Sequence, residues 1–94
     1  MNLNLISINT GKLFELAEEN PMEVLDMIRD VLEEYVKGIK DVRVHDMYFD
    51  ARTFEFLIEY IVKCELGEVS VKLVHSSNPT VALRRYYGYE KQKE

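Results

Sequence analysis

Cysteine is nearly missing from this chain: Cys64 is the only one in 94 residues. That excludes an intrachain disulfide, a CxxC redox pair and a cysteine-based zinc site, and it fits a reducing, cytoplasmic setting. Long apolar runs are missing too. No segment approaches the ~20 apolar residues of a membrane span, and the start, MNLNLISINTGK, lacks the basic end, apolar core and cleavage site of a signal peptide. Neither secretion nor a membrane partner is expected. The four glycines, Gly11, Gly38, Gly67 and Gly88, stand alone, so no glycine-rich loop could cradle a phosphate. Nothing in the sequence calls for a cofactor.

What is present is charge and apolar side chains in the proportions of one small soluble domain, residues 1–94, with 31% charged and 47% hydrophobic residues. A domain of this size buries roughly 60–65% of its unfolded surface, so its core gives modest stability. The net charge of −5 is uneven. Residues 1–40 carry eight acids and four bases, 41–77 seven and four, and 78–94 two and four. The body repels phosphate, and a nucleic-acid contact would have to use the C-terminal end. A single glutamine among plentiful Glu, Lys, Val and Ile is a thermophile-like bias.

Asn20-Pro21 with Glu23 has the form of a capping box with proline at the first helical position. From there Val24, Leu25, Ile28, Val31, Leu32, Tyr35 and Val36 keep helical spacing, which predicts a helix over 21–37 stopped at Gly38. A shorter helix is expected over 11–19, with Thr10 as cap, and another over 79–87, opened by Asn78-Pro79 and closed by Gly88, leaving 89–94 as a frayed tail. Leu3–Asn9 suits either an extra strand or an extended arm.

The segment from Thr53 to Leu66 suits either a helix or a strand. Its even positions from Phe54 to Leu66 are all apolar, and Glu55, Glu59, Lys63 and Glu65 fall on odd ones, so the strand pattern is the better fit. With Gly67-Glu68 at the centre of a type II′ turn, Val62 would face Leu73, Tyr60 would face His75, and Ile61 would face Val74. This register puts Lys63 against Lys72, at a cost of ~0.5 kcal/mol. Strands are therefore expected at about 41–49, 53–66 and 69–76. The facing of 41–49 stays open. Putting Val42, Val44 and Tyr48 inward also buries Asp46, whereas the other choice buries Met47 and Phe49 with Arg43 and His45. The fold class is α+β, a three-stranded antiparallel meander packed against helix 21–37. From residue 12 the element order resembles that of double-stranded RNA-binding domains. Their final helix opens with a lysine cluster, however, and Asn78-Pro79-Thr80-Val81 carries no base, so the family is not assigned.

Chemistry has few candidates. His45, Asp46, Asp50 and His75 are the ingredients of a metal or acid–base site, but their spacing matches no motif, so no catalytic or metal residue is assigned. Asp50 reads as a turn residue, His75 as structural and Cys64 as a buried, inert thiol. Two surfaces remain. Leu57, Ile61 and Val74 interrupt the polar face of the hairpin, which points either to an internal cover or to self-association as a homodimer. The acids between Glu15 and Glu34 offer docking to a basic protein partner. The expected role is non-enzymatic: an interaction or regulatory module of the accessory kind common in viruses and mobile elements. The alternative is nucleic-acid binding through Arg84, Arg85, Tyr86, Tyr87 and Tyr89, which interleave bases with aromatics, and a third reading is a metal-assisted hydrolase built on His45, Asp46 and His75.

Overall fold

The computed structural model describes residues 9–93. Three helices come first, α1 (Thr10–Glu19), α2 (Pro21–Met27) and α3 (Arg29–Tyr35). The strands β1 (Asp41–Asp50), β2 (Glu55–Cys64) and β3 (Gly67–His75) follow, and α4 (Pro79–Lys93) closes the chain. The strands form one antiparallel sheet in the order β1-β2-β3. The α+β class and the three-stranded meander are as expected. The segment Leu3–Ile8 lies outside the described residues. Asn9 accepts a hydrogen bond from the Gly11 N–H at 2.9 Å, so it is Asn9 that caps α1, with Thr10 inside the helix.

At α2 the Asn20 side chain accepts from the Glu23 N–H at 3.3 Å and donates to the Glu23 carboxylate at 3.2 Å, satisfying a helix-end donor as the sequence implied. The helix expected over 21–37 is two helices. Ile28 (φ −112°, ψ 12°) breaks it, and its N–H reaches back to Leu25 rather than to Val24. Val24 and Leu25 before the break and Leu32 after it all reach the same core. Gly38 follows at φ +69°, where a Cβ would come within 2.4 Å of Glu65 Cγ. The helix itself ends earlier than expected, at Tyr35 with Val36 extended as its cap, and Gly38 makes the left-handed turn in the loop beyond.

The stretch 55–64 is a strand, and its even residues Phe56, Ile58, Tyr60 and Val62 are buried against Leu13, Phe14, Ala17, Val24 and Leu25 of the helices. The register differs from the expected one. Val62 pairs with Val69, Tyr60 with Val71, Phe56 with His75, Leu57 with Val74 and Ile61 with Ser70. The turn residues are Glu65 and Leu66, neither of which has a positive φ; the left-handed residue is Gly67, after them, at φ +101°. The Lys63–Lys72 clash disappears, because Lys63 now faces Glu68 and Glu59 faces Lys72.

The open facing of β1 is settled by a bulge. Val42 and Val44 pair with Val62 and Tyr60, the register slips at His45, and Met47 and Phe49 pair with Ile58 and Phe56. All four apolar side chains thus reach the helical face, while Asp46, Tyr48 and Asp50 turn to the other. That other face carries α4, giving three layers: helices α1–α3, the sheet, then α4. The last helix runs past Gly88 to Lys93, so the expected stop at 87 and the frayed tail give way to a longer helix. Tyr89 holds this extension by packing on Tyr48 (ring centroids 5.4 Å apart) and on Tyr86.

Deleting His45 should leave a strand that alternates without a bulge and keeps Val42, Val44, Met47 and Phe49 on the helical face, so the stability read from urea unfolding should change by less than about 1 kcal/mol. Gly88 has open space around a would-be Cβ. Gly88→Ala should therefore stabilise the protein by about 0.5–1 kcal/mol in the same measurement.

Candidate functional site

The face between the sheet and α4 holds a chain of carboxylates. Asp50 and Glu55 are directly paired across β1 and β2, and Glu59 lies on the same face four residues further along β2, beyond Leu57. Two acids placed opposite each other require cations or donors. Glu55 is 8% exposed; it accepts hydrogen bonds from the Thr53 hydroxyl (2.7 Å), the Ser76 hydroxyl and Arg85 Nη1 (2.9 Å). Asp50 accepts from the Arg52 backbone N–H at 3.0 Å and from its guanidinium at 3.3 Å, with Arg85 4.0 Å away. Glu59 accepts from the Tyr86 hydroxyl at 2.8 Å and the Ser70 hydroxyl at 2.6 Å, and Lys72 stands 3.5 Å away.

These partners decide the protonation. The hydrogen bond from the Arg52 side chain holds Asp50 below the ordinary carboxylate value, and those from Ser76 and then Thr53 do the same for Glu55. Burial pushes Glu59 up, but the hydrogen bonds from Ser70 and Tyr86 outweigh it and the net direction is down. Three carboxylates that stay ionised cannot deliver a proton near neutral pH. They fasten α4 to the sheet through Arg85 and Tyr86. Burial, followed by hydrogen bonding to Glu90 and Glu59, raises the Tyr86 phenol far above its usual range, so it remains a donor.

A cleft of about 300 Å³ opens beside this network, where Thr10 at the start of α1 meets Phe54, His75, Ser76 and Ser77. Phe54 stands at φ 55°, the only non-glycine residue in the left-handed region among the described residues, and its ring packs edge-on against Phe14 at 5.7 Å. Burial lowers the His75 pKa, with Glu55 opposing, and the imidazole stacks on Phe56 at 5.3 Å.

The residues singled out from sequence are dispersed. Leu57 is buried, 1% exposed, on the face where α4 packs and where Ala82 and Tyr86 are also buried. Val74 pairs with it, half-buried; Ile61 lies further along, opposite Ser70 rather than Val74. Of the basic-aromatic segment, Arg85 and Tyr86 face the sheet, Tyr89 packs on Tyr48, and Arg84 and Tyr87 remain exposed. His45 is exposed in the β1 bulge near Glu59, whereas His75 pairs with Phe56 at the far end of β3. No grouping of three or more His, Cys, Asp or Glu suited to a metal occurs among the described residues, nor is any of their helices long and apolar enough to cross a membrane. Cys64 is buried and free. Sequence reasoning missed Glu55. The signal that could have found it is that it stands across a four-residue turn from another carboxylate. No family model, curated protein or solved structure matches this chain.

A carboxylate whose pKa is depressed in the folded state contributes stability above its unfolded value, near 4.5 for Glu55, and loses that contribution as pH falls through the folded value. Ser76→Ala should accordingly cost about 1 kcal/mol at pH 7 and far less at about pH 3 in parallel urea titrations. Equal losses at both pH values would show that the Ser76 hydroxyl does not act on the ionised form.

Proposed function

We propose that this protein is a non-catalytic interaction module whose helical layer docks on a basic protein surface. The observation that carries this reading is the disposition of charge on α1–α3. Glu15, Glu18, Glu19, Glu23, Asp26, Asp30, Glu33 and Glu34 are all exposed. Arg29 is the only cation paired with any of them among the described residues, at 3.7 Å from Asp26 and 3.3 Å from Glu33. Glu15, Glu18, Glu19, Glu23, Asp30 and Glu34 form no such pair. Like-charge repulsion on one side costs a small domain stability, and a complementary basic surface would relieve it. Tyr35, 76% exposed beside Glu33 and Glu34, adds an aromatic anchor of the kind enriched at interfaces.

The outer sheet face supports this role less well, because α4 packs where a second copy was expected, over Leu57. Nucleic-acid binding through the C-terminal helix is left with Arg84 and Tyr87, since Arg85 and Tyr86 are engaged with the sheet carboxylates.

A fluorescent oligolysine peptide of about 12 residues is a suitable probe, because binding between complementary charges falls with salt. Anisotropy should show binding at low salt that weakens as salt rises and falls at least ~10-fold in the triple variant Glu18→Lys, Glu33→Lys, Glu34→Lys, while Arg84→Ala leaves it unchanged. Absence of any salt-dependent binding would sink the reading. Binding of a single-stranded RNA oligomer that disappears in Arg84→Ala would favour the alternative.

A further inference from the structure

We infer that β3 is a self-association edge: two copies pair their β3 strands antiparallel about a two-fold axis at Ser70, joining two three-stranded sheets into one of six strands. The two edges of the sheet are not alike. β1 carries the His45 bulge, a feature that twists an edge away from further pairing. β3 has no such protection. Its register with β2 is unbroken from His75 to Gly67, it contains no proline, and its one lysine, Lys72, is drawn to Ser70 (3.3 Å) and Glu59 (3.5 Å) on the outer face. Among the described residues β3 pairs only with β2, so alternate N–H and C=O groups along its nine residues point outward.

The side chains also fit a second copy. Val69, Val71 and Leu73 line the helical face of β3 only half-buried, and Leu66, at the turn leading into it, is 89% exposed. Antiparallel pairing about a two-fold keeps each residue opposite one of the same face, so the axis must pass through a residue. With the axis at Lys72, two lysines meet. An axis at Val71 sets Glu68 against the partner's Val74. Only Ser70 places Glu68 against the partner's Lys72 twice and Val69 against the partner's Val71 twice, and it brings Leu66 level with the partner's Val74. The interface uses none of the carboxylates on α1–α3, so it stands or falls separately from docking to a basic partner. One strand pair is small beside the ~1,200–2,000 Å² of standard interfaces, which makes the dimer weak and concentration-dependent.

Sedimentation velocity from about 10 µM to about 1 mM, the range in which a small interface assembles, tests this directly. Wild type should pass from monomer to dimer. Ser70 is exposed in the monomer but its hydroxyl donates to Glu59, so Ser70→Lys and Ser70→Glu are first checked for an intact fold by circular dichroism and thermal unfolding. Each alone sets like charges face to face on the axis and should weaken association at least ~10-fold, whereas an equimolar mixture should dimerise again. Leu66→Asp, in the exposed turn, gives an independent weakening should either Ser70 variant unfold. A wild type that stays monomeric throughout overturns the proposal. So does undiminished dimerisation of Ser70→Lys, or a mixture no more associated than its components.

Discussion

One unpaired residue governs this structure. A regular strand over 41–50 could send either Val42 and Val44 or Met47 and Phe49 toward the helices, never both, because side chains alternate. The bulge absorbs His45, the one residue that would put the two pairs out of step, and the core gains an unbroken apolar row along β1. The same slip turns Tyr48 and Asp50 to the opposite side, where Tyr48 receives Tyr89 and Asp50 joins the network around Arg85. Both helical layers therefore depend on the bulge, the first for its apolar bed and the second for its anchors.

The two layers are held by different means. Against α1–α3 the sheet offers a continuous apolar surface, with a polar tether where the Tyr60 hydroxyl donates to the Pro21 carbonyl at 2.6 Å. Against α4 it offers Leu57 among three carboxylates, and the helix answers with Ala82, Tyr86 and Arg85. Two tyrosines thus serve the two layers alike, burying a ring and spending the hydroxyl on an acceptor across the interface. The acids on the α4 face are consumed inside the molecule, whereas those of α1–α3 are exposed and, among the described residues, for the most part without an ion-pair partner, the contrast on which the proposed docking role rests.

Much of this was legible in the sequence because local rules are short-ranged. Asn20-Pro21 starts a helix for reasons contained in four residues, and the alternation along 55–64 favours a strand over the helix that the same segment also suits, though Phe54 and Leu66 at its ends fall in turns. The hairpin's facing was readable even though its register was not. The expected and observed partners of Val62, Leu73 and Val69, differ by an even number of residues, and an even slip preserves the face. The partners themselves depended on turn geometry: Gly67 follows the turn instead of opening it, and the charge pattern, Lys63 with Glu68 and Glu59 with Lys72, was the better guide. The bulge and the break at Ile28 carry no proline or glycine, and both respond to packing between distant segments. The same is true of α4, whose extension beyond Gly88 rests on Tyr48, a residue of β1. The candidate surfaces were less legible than the fold, because Leu57, Ile61 and Val74 left an internal cover and a second copy both open, and it is the final helix, held by the sheet carboxylates, that covers Leu57.

The donors around Glu55 have a further consequence for how the chain assembles. Thr53 is two residues away in sequence, Ser76 twenty-one and Arg85 thirty. The knot around this carboxylate can close only after the β2–β3 hairpin has formed and the last helix has come round onto the sheet, since loop closure must precede each non-local contact. Interactions made that late are largely absent from the folding transition state and act on the rate of leaving the native state. Glu55 is thus placed to serve as a latch, slow to release α4 once the fold is complete and of little help in reaching it.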